Sequence, residues 1–413
     1  MNLGFLNLRV IESSAFIAAP LAGMTLAQFG ADVIRVEMIG GGIDYGRLPL
    51  MPSGRSLYWT ALNKGKRSIA IDIRRPEGRE LVQELVAAPG EDGGILLTNI
   101  VSKWLGHPAL AARRGDVITC MIEGNQDGTT AVDYTVNAAS GYPAMTGAGS
   151  IGAPTNHVLP AWDIACAFQA AFAIVSAAER RRRTGQGAEL RMALSDVAFT
   201  MLSHLGVAGE AELLGVARPA IGNHIYGAFG RDFATADGQR IMVAAISAAQ
   251  WTGLVAACGI GVEVASLEAA TGRDFGREAD RYEARDAIAA LLEPWCAARP
   301  IAEIREVFDR NRVCWGPYRT VTDLLAHDPR TSLANPVWET VETAGIGTQR
   351  VAGTPIRAGG EPRGATAPAP LLGQHTDDIL LGVLGLSSGA VGKLHDAGIV
   401  AGADKDPTVG ARA

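Results

Sequence analysis

LRVIESSAFIAAPLAGMTLAQFGADVIRVE, residues 8–37, decides the fold class. An apolar run at 8–11, a small-residue segment with helical spacing at 20–29 and a second apolar run at 33–36 follow in close succession. The same alternation continues downstream. The spacing predicts strands at 68–71, 95–98 and 117–121, with helices at 77–87 and 108–113 between them. Strands alternating with helices imply a parallel sheet of the doubly wound α/β class. A glycine run, Gly40-Gly41-Gly42, follows the second strand without GxGxxG spacing, and a loop is the simpler reading than a dinucleotide cradle.

At 413 residues the chain exceeds one typical core. Its texture changes near residue 223. A strand pair around Ala236-Asp237-Gly238 is followed by an amphipathic region after Trp251 and by helices through 284–293 and 301–311. The expected division is a large domain over 1–222, a small α+β domain over 223–320, and a proline-containing linker returning to the large domain over 321–413. Residues 401–413 read as a frayed tail. The chain is 48% hydrophobic with a net charge of −6, which argues against a polyanion-binding protein. Five cysteines lie far apart without CxxC spacing, a reduced pattern with no zinc ribbon and no metal ligand set. Arg9 and Glu12 interrupt any leader-like apolar region, and the apolar run at 164–178 is shorter than a membrane span. A cytoplasmic location is expected.

Residues 156–195 read NHVLPAWDIACAFQAAFAIVSAAERRRRTGQGAELRMALS. The spacing predicts one helix from Ile164 to Arg183, closed at Gly185, with Asp163 at its N-terminus. Asp163 can be a helix cap. A carboxylate there is also kept ionised by the helix dipole, which suits a nucleophile. Cys166, one turn on, reads as a buried apolar filler. Arg180 to Arg183 read as a solvated helix end favouring the C-terminal dipole.

Four ordered motifs resemble the family III CoA-transferases across nearly the whole chain. They are the opening strand–helix–strand, LNKGKRSIAIDI at 62–73, Asp163 with its helix and Thr184-Gly185-Gln186-Gly187, and LLGQHT at 371–376. The resemblance implies a Rossmann-like large domain built from both chain ends, a smaller α+β domain, and an interlocked homodimer. It makes Asp163 the nucleophile that takes an acyl group from CoA and then carries CoA itself. No cofactor is implied, because CoA enters within the substrate thioester. For the racemase branch of the family the motif GHDINYxAxSG corresponds to AVDYTVNAASG at 131–141. Val132 stands in the histidine's place and cannot shuttle a proton.

Longer strings, among them NHVLPAWDI at 156–164 and GNHIYGAFGRDFATADGQRIMV at 222–243, go beyond the general signature. They resemble a branch that moves CoA between the two carboxylates of one small unsaturated dicarboxylic acid. The implied partner is therefore the acyl-CoA of a small dicarboxylic acid, with no nucleic acid and no membrane. An ordinary transferase with a separate acceptor acid, an α-methylacyl-CoA racemase and a non-catalytic CoA-ester binding protein remain as alternatives. Arg47, Asn156, His157, Tyr226 and Arg231 are candidates for the substrate's carboxylate end, with arginine offering bidentate pairing. By resemblance, CoA contacts fall on Arg35, on Asn63, Lys64, Lys66 and Arg67, and on Asn99 and Lys103.

Overall fold

The computed structural model describes residues 3–147, 153–360 and 364–408. Its strands are β1 (Arg9–Ser13), β2 (Asp32–Glu37), β3 (Arg67–Ile71), β4 (Ile95–Thr98), β5 (Ile118–Glu123), β6 (Ala188–Ala193), β7 (Phe229–Ala234), β8 (Arg240–Ala245), β9 (Cys314–Pro317), β10 (Trp338–Thr343), β11 (Gly347–Ala352) and β12 (Val400–Ala401). The α-helices up to residue 204 are α1 (Ala18–Gln28), α2 (Leu57–Leu62), α3 (Pro76–Ala87), α4 (His107–Ala111), α5 (Asp133–Ala139), α6 (Tyr142–Met145), α7 (Ala161–Thr184) and α8 (Leu194–His204).

Two compact units divide the chain. One comprises Met1–Ser140, His157–Val216 and Pro329–Ala413; the other comprises Gly141–Asn156 and Ala217–Asp328. In the first, a seven-stranded sheet runs β12-β3-β2-β1-β4-β5-β6. All its pairings are parallel except that of β12 with β3. The alternating pattern thus produces a doubly wound α/β sheet, with short apolar runs such as Ile95–Thr98 buried along their whole length. One face packs Ile11, Ile34, Ile69, Ile71 and Leu96 against Leu81, Val82, Leu85 and Val86 of α3, and against Ile379 and Leu380.

Helices α1 and α7 pack on one another. Small residues make the approach close: Ala18, Ala19 and Ala22 of α1 and Cys166, Ala167, Ala170 and Ala171 of α7 are all buried. At 24 residues α7 is longer than the sequence reading expects, and by length and composition it could cross a bilayer. Its buried face instead belongs to the packing of this unit. It ends at Gly185, in the left-handed region at φ 70°. Gly187 then passes so near β5 that a Cβ there would stand 2.2 Å from the Val117 carbonyl oxygen.

Arg180, Arg182 and Arg183 form the solvated helix end expected, and Arg181 is the exception. Arg181 is buried, and its guanidinium donates to the Glu91 carbonyl at 2.9 Å and to the Gly94 and Asp116 carbonyls, each at 3.3 Å. The chain end is also ordered further than expected. β12 joins the sheet, and Asp406 accepts from Leu372 N at 2.7 Å and Arg55 Nη1 at 3.1 Å. Only 409–413 of the expected tail lie outside the described residues. The segment read as a linker carries the β10–β11 hairpin.

The second unit holds the three-stranded antiparallel sheet β7-β8-β9. Its core joins Phe229, Phe233, Ile241 and Val243 to Trp251, Phe275, Ile288, Leu292, Ile304 and Phe308. The strand pair expected around Ala236–Gly238 is β7–β8, and the predicted helices are Arg285–Ala297 and Ile301–Arg310.

Candidate active site

The strand order reverses between β1 and β4, and the crevice at the carboxyl ends of such strands is where open α/β sheets place ligands. Asn99, just after β4, ties the two loops there together. Its amide donates to the Ala15 carbonyl at 2.7 Å, and its oxygen accepts from Ala15 N at 2.9 Å. Phe16 follows with φ 68°, a strained value for an aromatic residue, while its N–H donates to Asp44 Oδ2 at 3.0 Å.

With proline at its N-cap, the first turn of α7 leaves three backbone N–H groups without an intrahelical partner, those of Ala161, Trp162 and Asp163. Pro160 has no side chain to satisfy them. Ala161 N donates to the Leu159 carbonyl at 2.8 Å, and the helix's own bonding begins with Ile164 N to the Pro160 carbonyl at 3.1 Å. The other two are taken by a carboxylate from elsewhere: Asp133 Oδ2 accepts from Trp162 N at 2.8 Å and from Asp163 N at 3.0 Å. Asp163 is therefore not the cap, as one sequence reading has it. The cap is Asp133, and Asp163 lies inside the first turn with its carboxylate free for other work.

That carboxylate is partly buried. Burial, then the charge of Asp133, push its pKa up to about 7, with Arg47 opposing. These local effects oppose the helix dipole, which favours the ionised form. Arg47 lies over two rings, its Cζ 5.2 Å from the Phe16 centroid and 5.0 Å from that of Tyr58. Among the described residues no carboxylate is within ion-pairing distance of it. Tyr58 was missed by sequence reasoning, although Ser56 caps α2 by accepting from Trp59 N at 3.0 Å and is a readable helix-start signal. The Tyr58 hydroxyl is buried and without a hydrogen-bond partner among the described residues. Burial raises its pKa to about 12, so it is neutral, and it is near enough to Asp163 to feel that group's charge. Cys166 is buried with its thiol pushed up to about 12 by burial, and it donates to Met192 Sδ at 3.3 Å. It is the filler the sequence suggests.

The candidate CoA residues separate by environment. Arg35 is 1% exposed and sits among three carboxylates. Its Nη1 lies 2.8 Å from Glu12 Oε1, its Nη2 3.3 Å from Asp44 Oδ2, and its Nε donates to Glu37. Burial opposes its charge, but Glu37, Glu12 and Asp44 together outweigh it. Lys66 is also buried, 3.0 Å from Glu12 Oε1 and 2.8 Å from Asn63 Oδ1. Burial lowers its pKa to about 8 against the pull of Glu12. Asn63 donates to the Trp59 carbonyl at 2.8 Å, and Arg67 Nε to Asp32 at 2.8 Å. Arg35, Asn63 and Lys66 form a buried ion and hydrogen-bond network, so their side chains are already engaged within the protein. Lys64 and Lys103 remain without an ion pair among the described residues. Lys64 is partly buried, lining a cavity of about 290 Å³ with Thr60 and Arg350, and Lys103 is exposed.

Among the carboxylate-end candidates, Arg47 is within electrostatic reach of Asp163. His157, at the approach to α7, has its Nδ1 buried with no partner among the described residues. Asn156, Tyr226 and Arg231 belong to the second unit. There Tyr226 packs against Tyr282 at 5.1 Å with Arg218 over its ring, and Arg231 pairs with Glu293 at 3.1 Å.

A model of CoA-transferase family III matches residues 6–376. The chain is 50% identical over 401 residues to the 2-methylfumaryl-CoA isomerase of Chloroflexus aurantiacus, covering 97% of this chain and 98% of that protein. It is 28% identical to a formyl-CoA:oxalate CoA-transferase of Rhodopseudomonas palustris, over 95% and 96% of the two chains. A crystal structure of a CAIB/BAIF family protein from Brucella suis superposes with a TM-score of 0.74 at 28% identity, covering 93% of this chain and all of that one. With its doubly wound sheet, its α7 carboxylate and a family match along most of its length, the chain belongs to CoA-transferase family III.

Proposed function

We propose that this protein isomerises 2-methylfumaryl-CoA by moving CoA between the C1 and C4 carboxylates of the same acid, with Asp163 as nucleophile. The observation that carries the reading is a carboxylate of raised proton affinity, Asp163, within electrostatic reach of Arg47, a cation with no internal counter-ion among the described residues. Half identity over almost the whole of a named isomerase supports the choice of substrate.

The chemistry needs only the two carboxylates and one thioester. Asp163 Oδ attacks the C1 thioester carbonyl, the C–S bond breaks, and CoA leaves as a thiolate from a mixed anhydride. The thiolate attacks Asp163 Cγ, releasing the C1 carboxylate and leaving an aspartyl-CoA thioester. The C4 carboxylate attacks that carbon and expels the thiolate. The thiolate then attacks C4 of the new anhydride, which regenerates the Asp163 carboxylate. Tyr58 supplies a neutral donor for the oxyanions that form at each attack. Arg47 holds whichever carboxylate of the acid is free, and its planar fork suits bidentate pairing. Lys64 and Lys103 are the cations left for the CoA phosphates. A homodimer accords with the exposed Phe168 and Phe172 of α7, which line an apolar groove of about 620 Å³.

Incubated with the C1 ester and no added acid, the purified protein is expected to form the C4 ester. Isotopically labelled free 2-methylfumarate, added in excess, should not enter the product. Product that forms only when a second acid is present, and carries the label, would replace this reading with an intermolecular transferase. Val132 cannot supply the racemase proton, so product made in deuterated water should carry no deuterium at carbon.

Arg47→Met removes the cation that lowers the proton affinity of Asp163. The acid limb of kcat/KM is expected to move to higher pH, and KM for the ester to rise about 10- to 100-fold, the range of a lost charged hydrogen bond. An unchanged KM would take Arg47 out of substrate binding.

A further inference from the structure

We propose that Asp133 is a positioning residue that fixes where the Asp163 carboxylate stands and, by its own negative charge, drives that carboxylate to attack. The proposal rests on Asp163 being the nucleophile. Asp133 opens α5 and is 3% exposed. Its Oδ2 holds the backbone of Trp162 and of Asp163 itself. One turn along the same helix, Asn137 Oδ1 accepts from Trp162 Nε1 at 3.1 Å. Two side chains of α5 thus clamp the first turn of α7 from outside it. Asp133 Oδ1 is buried with no hydrogen-bond partner among the described residues. No cation of the described residues lies within ion-pairing distance of Asp133, so its charge is left to act on its neighbour.

A cap alone would not need that charge, since a neutral amide oxygen caps helices about as well. The charge has a distinct consequence for the reaction. In the resting site the Asp133 carboxylate sits on the Asp163 backbone N–H, and its charge acts on the Asp163 carboxylate in a partly buried space. When Asp163 attacks, its charge passes to the thioester oxygen and then to the CoA sulfur, and Asp163 becomes a neutral acyl group. The repulsion is present before the step and relieved during it, and only such differential interactions speed the chemistry. The groups that act on Asp163 are Arg47 from the loop after β2 and Asp133 from α5. Tyr58 on α2 and Cys166 on α7 are near enough to feel its charge in turn.

Asp133→Asn tests the charge while keeping an acceptor oxygen, and Asp133→Ala removes both. The titration of Asp163 can be followed in the full-length protein by 13C NMR, with Asp163→Asn identifying its signal. This readout does not depend on turnover. In Asp133→Asn the Asp163 titration is expected to move down by about one pH unit. The acid limb of kcat should follow it, and plateau kcat should fall about tenfold with KM within about twofold. Asp133→Ala should fall further in kcat and also in melting temperature. An unmoved Asp163 titration in Asp133→Asn, or equal losses in both variants with no change in the pH profile, would overturn the proposal. Full activity of Asp163→Asn would instead remove the nucleophile assignment, while the NMR shift would still report whether Asp133 acts on Asp163.

Discussion

Asp163→Asn is expected to lose turnover by at least about 10³-fold and, above pH 7, to be more stable than the native protein. The loss follows from chemistry: an amide oxygen does not form the anhydride, and its carbon does not exchange with CoA thiolate under these conditions. The gain follows from linkage. The Asp163 pKa in the folded chain is raised from 3.8 to about 7, chiefly by burial and then by Asp133. Between those two values the native state holds a proton that the unfolded chain has released. Native stability therefore falls as pH rises through that window, and the full cost is present above about 7. Three units would set a ceiling of about 4 kcal/mol, and since the side chain is only partly buried, solvent reduces this to roughly 1–3 kcal/mol. Asparagine has no such titration. Urea unfolding of the two proteins at pH 8 and pH 4.5 checks the sign: the advantage of the variant should be large at the first and small at the second. A variant retaining a tenth of native activity would end the nucleophile assignment, and a pH-independent stability difference would end the account of its proton affinity.

Arg35→Met should be the most damaging single change to the first unit, costing about 3–5 kcal/mol or preventing folding at 37 °C. The methionine roughly fills the space but leaves Glu12, Glu37 and Asp44 buried together. Lys66 reaches only Glu12. Glu37 already has its pKa raised by burial, and Arg35 is the main force opposing that rise. Without Arg35 the cluster must take up protons or admit water, so the loss should be greater at pH 8 than at pH 5. The exposed pair Arg75–Glu77 provides a control, and breaking it should leave stability nearly unchanged. If Arg35 touched CoA instead, the same substitution would raise KM in a normally stable protein. Denaturant unfolding beside a steady-state assay separates the two outcomes.

The contrast between these arginines shows where sequence reasoning stops. Arg35, Lys64, Lys66, Arg67 and Lys103 look alike in a motif, as cations near turns of a nucleotide-binding fold. Their environments are set by residues far along the chain: Glu12 lies 54 positions from Lys66, and Asp32 lies 35 from Arg67. No local pattern announces those meetings. Arg47 was a candidate by type. What distinguishes it is the pair of rings that hold it and the lack of a counter-ion, both properties of the folded loop.

By itself the sequence determined the class of sheet, because apolar runs and helical spacing are local signals, and every strand predicted in the first 120 residues forms within about two residues of its place. It also determined the α7 stop at Gly185 and the family, and it singled out Asp163 as the candidate nucleophile. Tertiary structure alone decided what that carboxylate is. The residue at the cap of α7 is a proline, so the helix takes its cap from Asp133, 30 residues before Asp163. Burial and that neighbouring charge then set a proton affinity opposite to the one a helix dipole suggests. Helix caps and dipoles act over a single turn and can be read from neighbours in sequence, whereas desolvation and through-space charge depend on which distant segments close around the group.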